Sequence, residues 1–178
     1  MKLSAYFAIT AISAVLLAIP KWKPEADKAQ VNFTVKGPFG KVNGKFSGLK
    51  ADIKFDKDNL KSRTINASID AKSVSTGIGL RNRDLRKKEE WLNTDKYPII
   101  SFRSKNIERS VNSYKATGDI TLKGKTKEVE IPFTFTDKGN SGVFNGKFTI
   151  NREDFDVGKK GGSVGKIITI ELNVPVIK

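Results

Sequence analysis

Apolar and polar residues alternate along most of the chain beyond residue 20, with the period of two that half-buried β-strands require. Eight such runs are separated by turn signals rich in glycine, asparagine, aspartate and lysine. The pattern predicts strands at 31–35, 44–55, 65–71, 100–107, 114–122, 129–135, 144–150 and 168–176. Gly48 interrupts the alternation of the second run and predicts a bulge or bend there.

One stretch, residues 81–92, has the spacing of a helix instead. Leu85 and Leu92 fall on the same helical face, and the positions between them are mostly charged. Asn82 is predicted to cap the helix, with Asp84 in the first turn, where the helix dipole favours a carboxylate. A lone helix among strands is predicted to cover part of the sheet or one of its ends.

The pattern predicts a mainly β fold: a single antiparallel β-barrel of about eight strands, with one short helix inserted after the third predicted strand. Consecutive antiparallel strands joined by short turns tend to close into a barrel, because closure removes exposed edges. A barrel of eight strands has room for one small ligand. A β-sandwich is the alternative. The 178 residues contain no repeat or linker that indicates a second domain.

The N-terminus has the features of a secretory signal peptide. Met1 and Lys2 precede an uncharged run over residues 3–19, so residues 1–19 are predicted to be the signal and 20–178 the barrel domain. Ala18 suits a cleavage site, whereas Leu16 fits it poorly, which leaves an uncleaved membrane anchor as the alternative. Export across a membrane is expected in either case.

The composition argues against an enzyme. The chain contains neither cysteine nor histidine, which excludes disulfides, thiol nucleophiles, histidine bases and zinc sites built on these residues. The carboxylates lie among lysines and arginines and are predicted to form solvated ion pairs. The glycine-rich segment 158–165 lacks the spacing of a phosphate-binding loop. No catalytic residue, cofactor or metal site is therefore predicted.

Two further features bear on binding. The net charge of +14 favours anionic partners, but the lysines are spread along the whole chain, as expected for solvating residues. The inward phase of the strands contains many phenylalanines together with small residues such as Ala67, Ala116 and Gly146. Small inward residues leave room for a narrow apolar tunnel, although the same pattern also suits a packed core.

Several motifs, in order and spacing, resemble the YceI-like family across nearly the whole chain after the signal. They are Phe33-Thr34-Val35, Gly44-Lys45-Phe46, Ser73-Val74-Ser75-Thr76-Gly77, Arg81, Leu85, Glu90-Trp91-Leu92, Lys96-Tyr97-Pro98, Phe102-Arg103-Ser104, the run 118–127, Asn151-Arg152-Glu153-Asp154-Phe155 and Gly158. The resemblance implies a lipocalin-like barrel, exported typically to the bacterial periplasm. It also implies a long isoprenoid or other amphipathic lipid in an apolar tunnel, and no catalytic residues. Relatives often carry histidines after the first strand and in the helix, so lipid contacts that depend on those histidines are not implied here.

On this resemblance we expect non-enzymatic binding, transport or sequestration of a long lipid, of polyisoprenoid or isoprenoid-quinone type. The expected tunnel residues are Phe33, Phe46, Ile69, Leu85, Trp91, Phe102, Ile120, Phe133 and Phe148. Transient contact with a membrane surface is also expected. The sequence does not decide between a monomer and a homodimer. A ligand-free structural or stress-related barrel acting through its surface is the alternative. A nucleic-acid-binding module is disfavoured, because most aromatic residues follow the inward phase and export removes the partner.

Overall fold

The protein folds into an antiparallel β-barrel with a short α-helix. The computed structural model describes residues 19–59 and 63–178, and the counts below refer to these residues. The elements are β1 (Lys21–Pro24), β2 (Gln30–Gly37), β3 (Gly40–Phe46), β4 (Lys50–Lys54), β5 (Thr64–Asp70), α1 (Gly79–Lys87), β6 (Ile99–Ser110), β7 (Ser113–Leu122), β8 (Lys125–Asp137), β9 (Ser141–Asn151) and β10 (Ile167–Ile177), with 3-10 turns at Ala71–Ser73 and Arg152–Phe155.

Eight of these strands close into a ring. They follow one another in the order β1, β4, β5, β6, β7, β8, β9 and β10, and β10 pairs with β1 to complete the circle. The β2–β3 hairpin lies outside this ring, with β2 paired to the first part of β10. The closed ring confirms the predicted barrel of about eight antiparallel strands.

The second predicted strand is in fact two strands. The chain leaves β3 after Phe46 and enters β4 at Lys50, with Gly48 between them at a positive φ of 72°. Glycine adopts this conformation readily, which explains the break at the predicted bend. The pattern also missed β1, because four residues ending in a proline are too short to show alternation. The helix follows β5, which is the third predicted strand and the fifth observed one.

The helix is shorter than predicted and has a different start. It ends at Lys87, and Ile78 occupies the position before its first turn. Asn82 lies inside the helix and is not its cap; its Oδ1 accepts hydrogen bonds from the N–H and the hydroxyl of Thr76, both at 2.8 Å. Asp84 lies beyond the first turn, where its carboxylate forms an ion pair with Lys88 at 2.9 Å.

The two ends of the barrel differ in what closes them. The turns β6–β7 and β8–β9 lie at one end, which we call the aromatic end. The β2–β3 and β7–β8 turns, the segment between β5 and β6, and the loop between β9 and β10 lie at the other, which we call the helix end.

A cluster of aromatic rings fills the aromatic end. Phe55 is fully buried at its centre, and its ring centroid lies 4.9 Å from that of Tyr114 and 5.4 Å from that of Phe144. Trp22 lies beside them and donates its indole N–H to the Phe55 carbonyl at 2.8 Å. Edge-to-face packing of this kind stabilises the cluster beyond the burial of its area.

Arg63 covers these rings from the outside. Its guanidinium carbon lies 4.9 Å from the Phe55 ring centroid and 5.3 Å from that of Tyr114. The Nε and Nη2 groups donate to the carbonyls of Asn59 and Lys57 at 2.8 and 3.1 Å. Burial lowers the pKa of Arg63 from its ordinary value, yet an arginine stays protonated at neutral pH. The aromatic end is therefore closed by stacked rings under a buried cation.

Candidate ligand cavity

An apolar cavity of about 280 Å³ occupies the barrel interior. It lies between the aromatic cluster and a second apolar cluster at the helix end, which includes Val74, Leu92, Ile120 and Phe155. Phe102 packs against both clusters. The volume is near the lower end of the range that ligand pockets occupy, about 300–1,000 Å³.

All nine predicted tunnel residues line this cavity. Five come from the ring strands β5 to β9, two from the β2–β3 hairpin, one from the helix and one from the segment after it. They are Phe33, Phe46, Ile69, Leu85, Trp91, Phe102, Ile120, Phe133 and Phe148. For the seven strand residues the alternation predicted this inward orientation, because every second side chain of a barrel strand points inward. The small residues Ala67, Ala116 and Gly146 also belong to the lining and leave the open space that the sequence suggested.

The hairpin contributes two of the phenylalanines to the cavity wall. The rings of Phe33 and Phe46 lie 5.6 Å apart between centroids. Phe33 packs directly over Gly44, its partner on β3, so that a Cβ at position 44 would lie 2.2 Å from the ring. The glycine in the Gly-Lys-Phe motif therefore makes room for the Phe33 ring.

The chain after the helix closes part of the helix end. Leu92 donates its backbone N–H to the Leu85 carbonyl at 3.0 Å, although it lies outside the helix. Gly158 donates to the Glu90 carbonyl at 2.5 Å, and the Trp91 ring lies over the Cα of Gly158. A Cβ at position 158 would lie 2.5 Å from that ring. These contacts hold Trp91 at the boundary between the cavity and the helix end.

Arg152 has a role that the sequence did not reveal. Its side chain is almost fully buried beside the cavity and donates to the carbonyls of Val157 and Val164, both at 2.7 Å, and of Gly165 at 3.0 Å. A further hydrogen bond reaches the Lys159 carbonyl at 3.2 Å. Among the lining residues that the structure describes, Arg152 alone is ionisable, and its donors are engaged with the loop. A ligand in this cavity therefore meets an apolar surface.

The barrel wall has a weak seam beside β3. One edge of β3 pairs with β2, while its other edge meets the chain before α1 at an isolated bridge between Lys45 and Ser75. The two backbone hydrogen bonds of this bridge measure 2.8 and 2.9 Å. Ser47 adds one hydrogen bond to the Ser73 hydroxyl at 3.1 Å. With so few bonds along it, this seam costs less to open than a wall of paired strands.

The fold and the cavity define a small antiparallel barrel protein with an apolar interior. Residues 22–176 match the YceI-like domain, and the chain belongs to this family. A UPF0312 protein of Pectobacterium atrosepticum is 28% identical over 182 residues, covering 96% of this chain and 94% of the relative. The family membership confirms the resemblance seen in the sequence motifs.

Solved structures show the same fold. The crystal structure of Burkholderia cenocepacia BcnA matches with a TM-score of 0.81 and 27% identity, covering 85% of this chain and 98% of that one. A polyisoprenoid-binding domain from Saccharophagus degradans, implicated in plant cell wall breakdown, matches with a TM-score of 0.66 and 13% identity, covering 88% and 97%. At 13% identity the second likeness concerns the fold alone.

The signal peptide was predicted over residues 1–19. Residues 1–18 lie outside the described part of the chain. Within the described part of the chain, α1 and the 3-10 turns are too short and too polar to cross a bilayer as helices.

Proposed function

We propose that this protein binds a long apolar or amphipathic lipid in its barrel and carries or sequesters it without catalysis. The apolar cavity, enclosed by inward side chains from all around the wall, is the observation that supports the proposal most directly. The predicted signal peptide and the family resemblance favour an exported, periplasmic protein.

The energetics of the cavity suffice for binding without a polar anchor. Each buried CH₂ group contributes about 0.8 kcal/mol, so ten carbons contribute about 8 kcal/mol. Before the cost of immobilising the chain, this corresponds to a dissociation constant of about 1 μM. Branched isoprenoid chains suit a wall in which large rings alternate with small residues such as Ala67 and Ala116. The polyisoprenoid-binding description of the Saccharophagus domain supports the same class of ligand.

The absence of an acid–base pair at the cavity supports a binding role. Among the described lining residues, Arg152 is the single ionisable side chain, and its hydrogen bonds go to the loop 157–165. General acid–base catalysis needs a titratable group within hydrogen-bond reach of the substrate. We therefore infer that the bound lipid leaves the protein chemically unchanged.

A fluorescence titration with an isoprenoid alcohol tests the proposal. The chain contains two tryptophans, and Trp91 lines the cavity while Trp22 lies in the aromatic cluster. We expect saturable quenching or a spectral shift from Trp91. The variant Trp91→Phe should lose this signal while still binding the alcohol in a dialysis assay. A wild-type protein that neither responds nor retains the alcohol would contradict lipid binding.

A further inference from the structure

Most of the exposed large apolar residues lie at the helix end of the barrel. Five of the seven are there, on separate turns and loop ends: Phe39, Ile78, Leu80, Ile99 and Ile167. Phe39 stands at the tip of the β2–β3 hairpin with a relative exposure of 102%, so its ring makes no packing contact. This concentration of exposed apolar residues at one end of the barrel makes the helix end a candidate interaction surface.

Four lysines lie on the elements that present Phe39 and Ile167. Lys36 and Lys41 flank the hairpin tip, and Lys159 and Lys166 belong to the neighbouring loop, which is joined to the hairpin by the hydrogen bond from Gly165 N to the Lys36 carbonyl at 2.7 Å. All four lysines are exposed. Within residues 19–59 and 63–178 none of the four forms an ion pair.

Some lysines on the barrel wall are paired with carboxylates, whereas others, such as Lys50 and Lys127, form no ion pair with a described residue. Lys105, Lys115 and Lys147 each lie 2.7–2.9 Å from a carboxylate on a neighbouring strand. Their charge is therefore largely balanced across the strands. The four lysines at the helix end keep an unbalanced positive charge next to exposed apolar side chains.

We propose that the helix end docks on the surface of an anionic phospholipid bilayer. Phe39 would enter the boundary between headgroups and acyl chains, while Lys36 and Lys41 meet the lipid phosphates. The apolar residues protrude from the β2–β3 turn, the start of α1 and the first positions of β6 and β10. A fluid bilayer can accommodate apolar side chains that protrude at different points. A protein partner would need a rigid surface complementary to all of them. Docking also places the weak seam and Trp91 close to the lipid, but it does not depend on what the cavity binds.

Site-specific labels on the full chain test the orientation of docking. The chain has no cysteine, so Phe39→Cys and Val111→Cys can each carry one polarity-sensitive fluorophore. Val111 is 94% exposed on the β6–β7 turn at the aromatic end and serves as the matched control. With phosphatidylcholine vesicles containing phosphatidylglycerol, we expect a blue shift at position 39 and none at 111. Equal shifts at both positions, or no shift at 39, would overturn the proposal.

Two double variants distinguish the effect of the lysines at the helix end from the effect of the net charge of the protein. In the Phe39→Cys label background, Lys36→Ser with Lys41→Ser should weaken vesicle partitioning about 30-fold, given the usual contribution of a lysine near an anionic surface. Lys21→Ser with Lys23→Ser removes the same charge from two exposed positions of β1 at the aromatic end and should change partitioning little. Equal weakening by both pairs would contradict docking through the helix end.

Discussion

Ala67 provides a sharp test of whether the barrel interior is open. It lies on β5 between Ala51 on β4 and Phe102 on β6, and all three belong to the cavity lining. The substitution Ala67→Leu adds three carbons that point into the cavity. If the space of about 280 Å³ is open, the larger side chain enters it without displacing its neighbours.

The expected magnitude follows from the buried carbons. Three additional buried carbons contribute about 2.4 kcal/mol, and ordering the leucine side chain costs roughly 0.5–1 kcal/mol. The net stabilisation is therefore about 1.5 kcal/mol, or roughly 3–6 °C in Tm for a chain of this size. The leucine also displaces about three lipid carbons, worth about 2.4 kcal/mol, so we expect lipid affinity to fall roughly 50-fold. The variant should be more stable and bind less.

Urea denaturation and the lipid titration measure these two effects together. The matched control is Ala71→Leu, which makes the same change at a buried alanine that lies in a 3-10 turn away from the cavity lining. Overpacking there should destabilise the protein by about 1–3 kcal/mol. A destabilised Ala67→Leu variant would show that the interior is already filled.

Three further predictions concern the seam, the buried arginine and the hairpin. Oxidising the double variant Lys45→Cys and Ser75→Cys should lock the seam and slow lipid exchange in stopped-flow fluorescence at least tenfold, since the two residues face each other across an isolated bridge. Arg152→Met should lower the free energy of unfolding by about 3–5 kcal/mol in urea denaturation, because buried carbonyls lose their donor. Gly44→Val should cost about 1–3 kcal/mol in the same assay and weaken lipid binding, since the new side chain pushes Phe33 toward the cavity.

Each of these has a control and a contrary outcome. Reducing the engineered disulfide should restore fast exchange; equal rates before and after reduction would show that lipid enters elsewhere. Arg152→Lys keeps the charge but lacks the planar fork, so it should recover little of the stability. An unchanged urea midpoint for either arginine variant would remove its role in holding the loop. Gly142→Val, on the same sheet but away from the cavity lining, is the control for the Gly44 affinity effect.

The regular strands could be predicted because a strand with one buried and one exposed face has alternating apolar and polar residues. The inward phase of β5 and β7 placed Ile69 and Ile120 correctly on the cavity lining. Strands that are short or interrupted do not show a recognisable alternation. In β1 only Trp22 and Pro24 are buried, and the division between β3 and β4 depends on the positive φ of Gly48.

The helix shows how one spacing can arise from two structures. Leu85 and Leu92 are seven apart, which suits one continuous helical face, and this suggested a helix over 81–92. The helix ends at Lys87, and Leu92 returns to the same region through its hydrogen bond to the Leu85 carbonyl. The backbone bond preserves the proximity that the heptad spacing suggested, although the intervening chain is not helical.

The cavity and the burial of Arg152 could not be predicted from the sequence, because both depend on tertiary structure. Alternation predicts which side chains face inward but not the distance between opposite sides of the barrel. A packed core and an open tunnel therefore have the same sequence pattern. Arg152 follows a strand like many exposed residues. Its burial becomes favourable because the glycine-rich loop beyond Val157 turns its carbonyls toward the guanidinium. The loop that lacks the spacing of a phosphate site thus serves as the acceptor surface for a structural cation.

Native mass spectrometry of the protein purified from its own host shows whether the barrel carries a lipid. Lipid binding in the barrel predicts a population heavier than the polypeptide by the mass of one lipid, with the excess lost after extraction in organic solvent. The extracted protein should regain a lipid of the same class from a total lipid extract. A single species at the polypeptide mass that also takes up nothing from the extract would contradict the account.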